Sequence, residues 1–106
     1  MHAAARRRFA RRAAVLKALA HPVRLLLLEE LERGERCVCE LHELAGGDFS
    51  TVSKHLALLR RAGFVQSEKR GLKVYYRLRQ LCVRRLLACI DDVSPAAGSL
   101  RKEARR

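Results

Sequence analysis

At Gly63 the spacing of apolar residues changes from a repeat of 3.6 to a repeat of 2, and few small folds accommodate such a switch. Upstream, Val52, Leu56, Leu59 and Gly63 follow the spacing of one helix face. Downstream, Val65, Ser67 and Lys69 alternate, then Lys73, Tyr75 and Arg77 alternate against Val74, Tyr76 and Leu78, with Gly71 between the runs. The pattern predicts a helix passing straight into a β-hairpin whose tip carries Lys69, Arg70 and Lys73.

Everything before and after this junction reads as helix. Residues 3–19 form the first, with Phe9, Ala13, Leu16 and Ala20 near one stripe, and His21-Pro22 ends it because the residue before proline is pushed out of the α region. Pro22 suits the first turn of a second helix over 22–33, which Leu25 to Leu28 and Leu31 mark as buried. A short third helix from Cys37 to Ala45 turns Val38, Leu41, Leu44 and Ala45 inward and closes at Gly46-Gly47. Asp48 or Ser50 caps the fourth. A fifth runs from Gln80 to Asp92 and stops at Ser94-Pro95. The expected fold is mainly α with a β-hairpin wing, in the order ααααββα, a winged helix-turn-helix over residues 1–93 with a basic, disordered tail over 94–106.

A chain of 106 residues supports one compact core, and six Gly, two Pro and no Trp argue against a short-strand sandwich. The longest uncharged apolar run, Leu25 to Leu28, is far short of the roughly 20 residues of a membrane span, and Arg11, Arg12 and Lys17 interrupt any signal-like stretch. No membrane role and a cytoplasmic location are expected.

Charge is segregated rather than mixed. Residues 25–48 hold seven acids against Arg33 and Arg36, whereas residues 49–90 hold ten basic groups against the single Glu68, a net of +9 within a total of +12. A positive field confined to one half of a small domain suits a polyanion. On the fourth helix, Ser50, Thr51, Ser53, Lys54 and His55 lie opposite the apolar face and suit base edges and phosphates, while Lys69, Arg70 and Lys73, with Arg60 and Arg61, read as phosphate contacts. The expected partner is double-stranded DNA. A sequence-independent nucleoid protein has the same charge but predicts little operator preference.

Cys37-x-Cys39 is a half-site for soft ions or a pair of small buried hydrophobes. On an ideal helix the two side chains point about 200° apart, so one ion taking both must distort the first turn of the third helix. Cys82 and Cys89, seven apart, share one face of the fifth helix and read as dimer-core hydrophobes, supplementary thiolates or a second site. No enzyme is expected: Cys37-x-Cys39 is not a Cys-x-x-Cys pair, and there is neither a glycine-rich phosphate loop nor an evident carboxylate pair.

The stretch Ser50-Thr51-Val52-Ser53-Lys54-His55-Leu56-Ala57-Leu58-Leu59-Arg60-Arg61-Ala62-Gly63 resembles the recognition helix of the ArsR/SmtB family of metal-responsive bacterial repressors. His21-Pro22-Val23-Arg24 resembles the start of that family's second helix, and Cys37-Val38-Cys39-Glu40-Leu41 resembles its thiolate motif. The resemblance covers residues 12–90. It implies a homodimer paired through the first and fifth helices, seated on a palindromic operator and released by an inducer. Residues 1–36 lack the N-terminal-arm cysteines of the family's cadmium and lead sensors, Gln80 to Asp92 lacks the His of its zinc and cobalt sensors, and residues 48–63 lack Cys. Similarity is therefore to the arsenic-responsive type, with As(III) or Sb(III) on Cys37 and Cys39, and His42, Cys82 or Cys89 as further ligands. A thiol redox or persulfide sensor, or a Cd-, Zn- or Pb-responsive repressor, on the same fold is the alternative.

Overall fold

The computed structural model describes the backbone of residues 1–79 and 82–105 and the side chains of residues 1–79 and 82–93. Helices α1 (Ala3–Leu19) and α2 (Pro22–Glu32) are followed by strand β1 (Arg36–Cys37), helices α3 (Val38–Ala45) and α4 (Phe49–Arg61), strands β2 (Val65–Arg70) and β3 (Lys73–Leu78), and helix α5 (Cys82–Arg105). The winged helix-turn-helix is present, with one addition. The wing is a three-stranded antiparallel sheet in the order β1-β3-β2, because Arg36 pairs with Tyr76 and Cys37 with Tyr75. Two residues are too few to show a period, and their partners lie far along the chain.

Local chemistry sets the helix boundaries. His21 is extended, as a residue before proline must be, and its Nδ1 accepts a hydrogen bond from the Val23 N–H at 3.1 Å, capping α2. Arg24 donates to the carbonyls of Lys17 and Ala18 at 3.2 and 2.8 Å, and so satisfies the end of α1. Arg84 of α5 does the same for α2, donating to the Glu32 carbonyl at 3.0 Å. Between α3 and α4, Gly46 adopts φ 71° and ψ −177° and Gly47 a φ of 74°. The Gly46 conformation is open essentially to glycine alone.

Leu27, Leu28 and Leu31 of α2 form the centre of the core, with Leu41 of α3 and Val52, Leu56 and Leu59 of α4 against them. Phe64, Val65 and Tyr76 seal it from the wing and Val83 from α5. Each fully hidden Leu contributes about 1.5–3 kcal/mol, so α4 is held on α2 and α3 by its apolar face and presents the other outward.

Two expectations are corrected, the inward Leu44 and the end of the fifth helix. Leu44 is exposed, because it lies about 120° around α3 from Val38 and misses the core. The α1 stripe at Phe9 and Leu16 faces away from this core, leaving both side chains exposed, and only Ala18 and Leu19 reach inward. Helix α5 runs past Ser94-Pro95 to Arg105. Proline removes one N–H, a local cost, and the following Ala, Leu, Arg, Lys and Glu residues are strong helix formers. The expected start at Gln80 lies outside the described residues. Among the described residues no helix is long and apolar enough to cross a membrane.

Candidate nucleic-acid interface and thiol site

Helix α4 presents Ser50, Thr51 and Lys54 exposed, with Ser53 and His55 half-buried. Asp48 occupies the N-cap, yet its carboxylate bonds hydroxyls instead of helix N–H groups. Ser50 Oγ and Thr51 Oγ1 donate to Asp48 Oδ2 at 2.7 and 3.4 Å, and the Ser50 bond holds the Asp48 carboxyl below the usual carboxylate range. These hydroxyls are thus pre-positioned on the first turn of the helix. His55 leans back on α2, its ring 4.3 Å from that of His21. Burial first, then the neighbouring His21 ring and the Arg24 guanidinium, push the His55 imidazole below its ordinary value. The ring is therefore wedged between two helices as well as placed on the outer face, a position the helix period alone does not reveal.

On the wing, Arg60 Nη1 donates to Ser67 Oγ at 3.3 Å, joining α4 to β2, and Arg61 is exposed. Arg70 differs from its neighbours. Its guanidinium forms a pair of hydrogen bonds with Glu35 at 2.5 and 2.9 Å, bonds Glu68 at 2.7 Å, and lies 4.8 Å from the centre of the Tyr75 ring. With two carboxylates attached, Arg70 carries no net positive charge outward; it braces the wing against the loop before β1. Lys69 and Lys73 have no carboxylate partner among the described residues and are exposed.

The cysteine geometry overturns the ideal-helix expectation. Cys37 precedes α3 as its N-cap in an extended conformation, φ −67° and ψ 147°, so its side chain turns back over the helix start. Its Sγ meets Cys39 Sγ at 2.6 Å and accepts from the Cys39 N–H at 3.4 Å, while the Cys37 N–H donates to Glu40 Oε1 at 3.1 Å, closing a capping box. No distortion of the helix is needed for the sulfurs to face one another. The Cys39 thiol, and then its N–H, hold the Cys37 thiol below the usual thiol range, and the same contact raises Cys39. Cys37 is 3% exposed and Cys39 exposed, so approach is from the Cys39 side.

The other sequence candidates are not drawn to this pair. His42 directs Nε2 to the Gly47 carbonyl at 3.1 Å and packs its ring 5.1 Å from Phe49. Cys82 and Cys89 are exposed on α5. Among the described residues no group of three His, Cys, Asp or Glu side chains is placed to hold one metal ion.

Residues 21–67 match the model of the bacterial regulatory protein, arsR family. Over 64 residues the chain is 42% identical to the transcriptional repressor SmtB of Mycobacterium tuberculosis, a match covering 60% of this chain and 47% of that protein, about half its length. It is 37% identical over 79 residues to the biofilm growth-associated repressor of Xylella fastidiosa, covering 74% and 69% of the two chains. The solution structure of the homodimeric winged helix-turn-helix DNA-binding domain Mb0332 from Mycobacterium bovis superposes with a TM-score of 0.76 at 32% identity, covering 90% of this chain and 88% of that one.

Proposed function

The chain belongs to the arsR family of bacterial regulatory proteins, a family of DNA-binding transcriptional regulators and not of enzymes, and we propose that it is a homodimeric repressor whose hold on a palindromic DNA operator is released when arsenite or antimonite reaches Cys37 and Cys39. One observation carries the reading. Two thiol sulfurs 2.6 Å apart sit where strand β1 ends and α3 begins, a junction between the wing and the helix-turn-helix.

Soft thiolates suit thiophilic ions, and As(III) or Sb(III) would be held by the two sulfurs, with a third donor from solution or from a second copy of the chain. Cys37 is tied at the same time to Tyr75 of β3 by strand pairing and to α3 by its cap. Any change in the reach of its sulfur is felt by α3, which packs on α4, and by β3, which pairs with the β2 strand that follows α4. A conformation less suited to two successive major grooves then gains population at the expense of the DNA-bound one. The DNA face comprises Ser50, Thr51, Ser53, Lys54 and His55 on α4, with Arg60, Arg61, Lys69 and Lys73 on phosphates.

A second reading is favoured by the asymmetric thiols, one held low and one raised at contact distance. Peroxide would take two electrons and two protons from the pair, joining the sulfurs and leaving as water.

Fluorescence anisotropy of the reduced protein on DNA from its own promoter, titrated separately with arsenite, antimonite, cadmium and zinc, tests both. Release at stoichiometric arsenite or antimonite, lost in Cys37→Ser/Cys39→Ser, is the expected outcome. Tight binding indifferent to all four ions overturns the metalloid reading, and release by peroxide then supports the second.

A further inference from the structure

Helices α1, α2 and α4 border an open cavity of about 510 Å³. Its floor is apolar, built by Ala14 and Ala18 of α1 and Leu58 of α4, and its charged groups are Lys17, Arg24 and Arg61, with no acid among them. None of these three cations has a carboxylate partner among the described residues. Arg24 is half-buried and fixed in place: its Nη1 donates to the Lys17 and Ala18 carbonyls, while its Nε is buried without a partner. A partly desolvated, unmatched guanidinium is costly, and an anion nearby offsets that cost. The helix ends do not supply one. The C-termini of α1 and α4 contribute about half a negative charge each, against three full positive charges.

We infer that this cavity binds a small amphipathic anion, with the charged head among Lys17, Arg24 and Arg61 and a short apolar body on Ala14, Ala18 and Leu58. The volume is that of a small-molecule site, roughly 300–1,000 Å³. A phosphodiester backbone would use the cations and leave the floor uncovered, so the apolar half of the lining selects a small molecule over DNA. A partner chain seated on the exposed Leu16 would not cover the cavity, because Ala14, two residues away, lies about 200° around α1 from it. Arg61 is shared with the proposed DNA face. An anion held there competes with backbone phosphate, and by linkage DNA and ligand weaken each other by the same factor. This competition rests on the repressor reading, whereas binding to the free protein does not.

The test titrates hexanoate into the full-length protein at constant ionic strength and follows amide NMR shifts, with acetate and hexyltrimethylammonium as controls. Saturable shifts centred on residues 14–18 and 58–62 are expected, and no response to the ammonium. Each methylene added from propanoate to hexanoate should strengthen binding by up to about fourfold. Lys17→Gln should weaken it about threefold, and Ala14→Glu, which puts a carboxylate on the floor beside Lys17, should abolish it. Both positions are exposed, so circular dichroism should show an unchanged fold. Failure to saturate, shifts spread over the whole basic surface, equal response to acetate and hexanoate, or unchanged binding in Ala14→Glu overturns the inference. Shifts at these residues produced by duplex DNA and never by hexanoate assign the cavity to phosphate and also overturn it. Hexanoate should weaken DNA binding in the wild-type and not in Ala14→Glu; an unchanged DNA affinity at saturating hexanoate overturns the competition. A protein that binds hexanoate here and prefers no DNA sequence overturns the repressor reading and leaves the site standing.

Discussion

Arg70 on the second wing strand grips Glu35, 35 residues earlier, through both of its terminal nitrogens. Glu35 lies two positions before Cys37, so this contact fastens the wing to the approach of the thiol pair. The pair is partly solvated, and exposed ion pairs contribute only about 0–1 kcal/mol. Its consequence concerns where positive charge is available. Glu35→Gln frees one arm of Arg70, and the salt dependence of DNA binding should steepen by up to about one unit. Arg70→Ala should leave the slope nearly as it was, because the charge it removes is already matched. Anisotropy at four salt concentrations measures both, and a slope lowered by a full unit in Arg70→Ala would show that Arg70 lets go of Glu35 to contact phosphate.

Cys37 is a helix cap as well as a sulfur donor, and the two roles separate by substitution. A hydroxyl caps at least as well as a thiol, so Cys37→Ser should keep folding stability within about 0.5 kcal/mol while removing the soft donor. Cys37→Ala lacks any acceptor and should lose about 1 kcal/mol. Urea unfolding of the two variants decides this, with equal loss in both ruling out the cap.

The His55 imidazole, packed on His21 beside Arg24, titrates lower in the folded chain than in the unfolded one. The unfolded state therefore binds the proton more readily, and stability rises with pH across this window. Stability is complete above about pH 6.5 and declines as pH falls from there toward the lower folded value. Asp48 and Glu68, also held low, lose their contribution only under more acidic conditions, in the carboxylate range. Thermal midpoints between pH 7.5 and 5 should fall for wild-type and flatten in His55→Gln. An identical decline in the variant would move the effect to another group.

Phe9 and Leu16 expose 46% and 58% of their surface on α1, and Ile90 and Val93 are exposed on α5. A second copy of the chain is the proposed cover. Leu16→Glu should sediment as a 12.0 kDa monomer where wild-type sediments at twice that mass, with far-UV circular dichroism unchanged. DNA affinity should fall with it, since a single half-site remains. A wild-type monomer at all concentrations would remove the homodimer.

Leu56 is wholly buried between α4 and its supporting helices. Leu56→Ala should cost about 2–5 kcal/mol, and DNA binding should be lost together with the folded state and not before it. Loss of binding at full folded population would mean the residue acts on the outer face as well.

What could be read from the residues was whatever nearest neighbours decide. Pro22 and the Gly46-Gly47 pair marked helix limits because backbone sterics act locally, and the change of period at Gly63 announced the hairpin. Strand β1 could not be seen, since a two-residue strand exists only by virtue of Tyr75 and Tyr76 nearly forty positions away. The same blindness reversed the cysteine geometry: placing Cys37 inside the helix separates the sulfurs, while its extended cap conformation joins them. In sequence Arg70 is indistinguishable from its lysine neighbours, because Glu35, which neutralises it, is brought to it only by the fold.

The bend at Gly46 has a further implication for how this domain tolerates change. Removing one residue from the short link between Ala45 and Phe49 would shorten the span across which α4 docks, so that either its first turn, with Ser50 and Thr51, unwinds or its apolar face at Val52, Leu56 and Leu59 lifts from the core. The aim of the reading face is thus stored in backbone torsion and link length, outside any side chain. Alanine scanning of every polar residue on α4 would pass over it, whereas insertions and deletions across 46–48 would expose it at once.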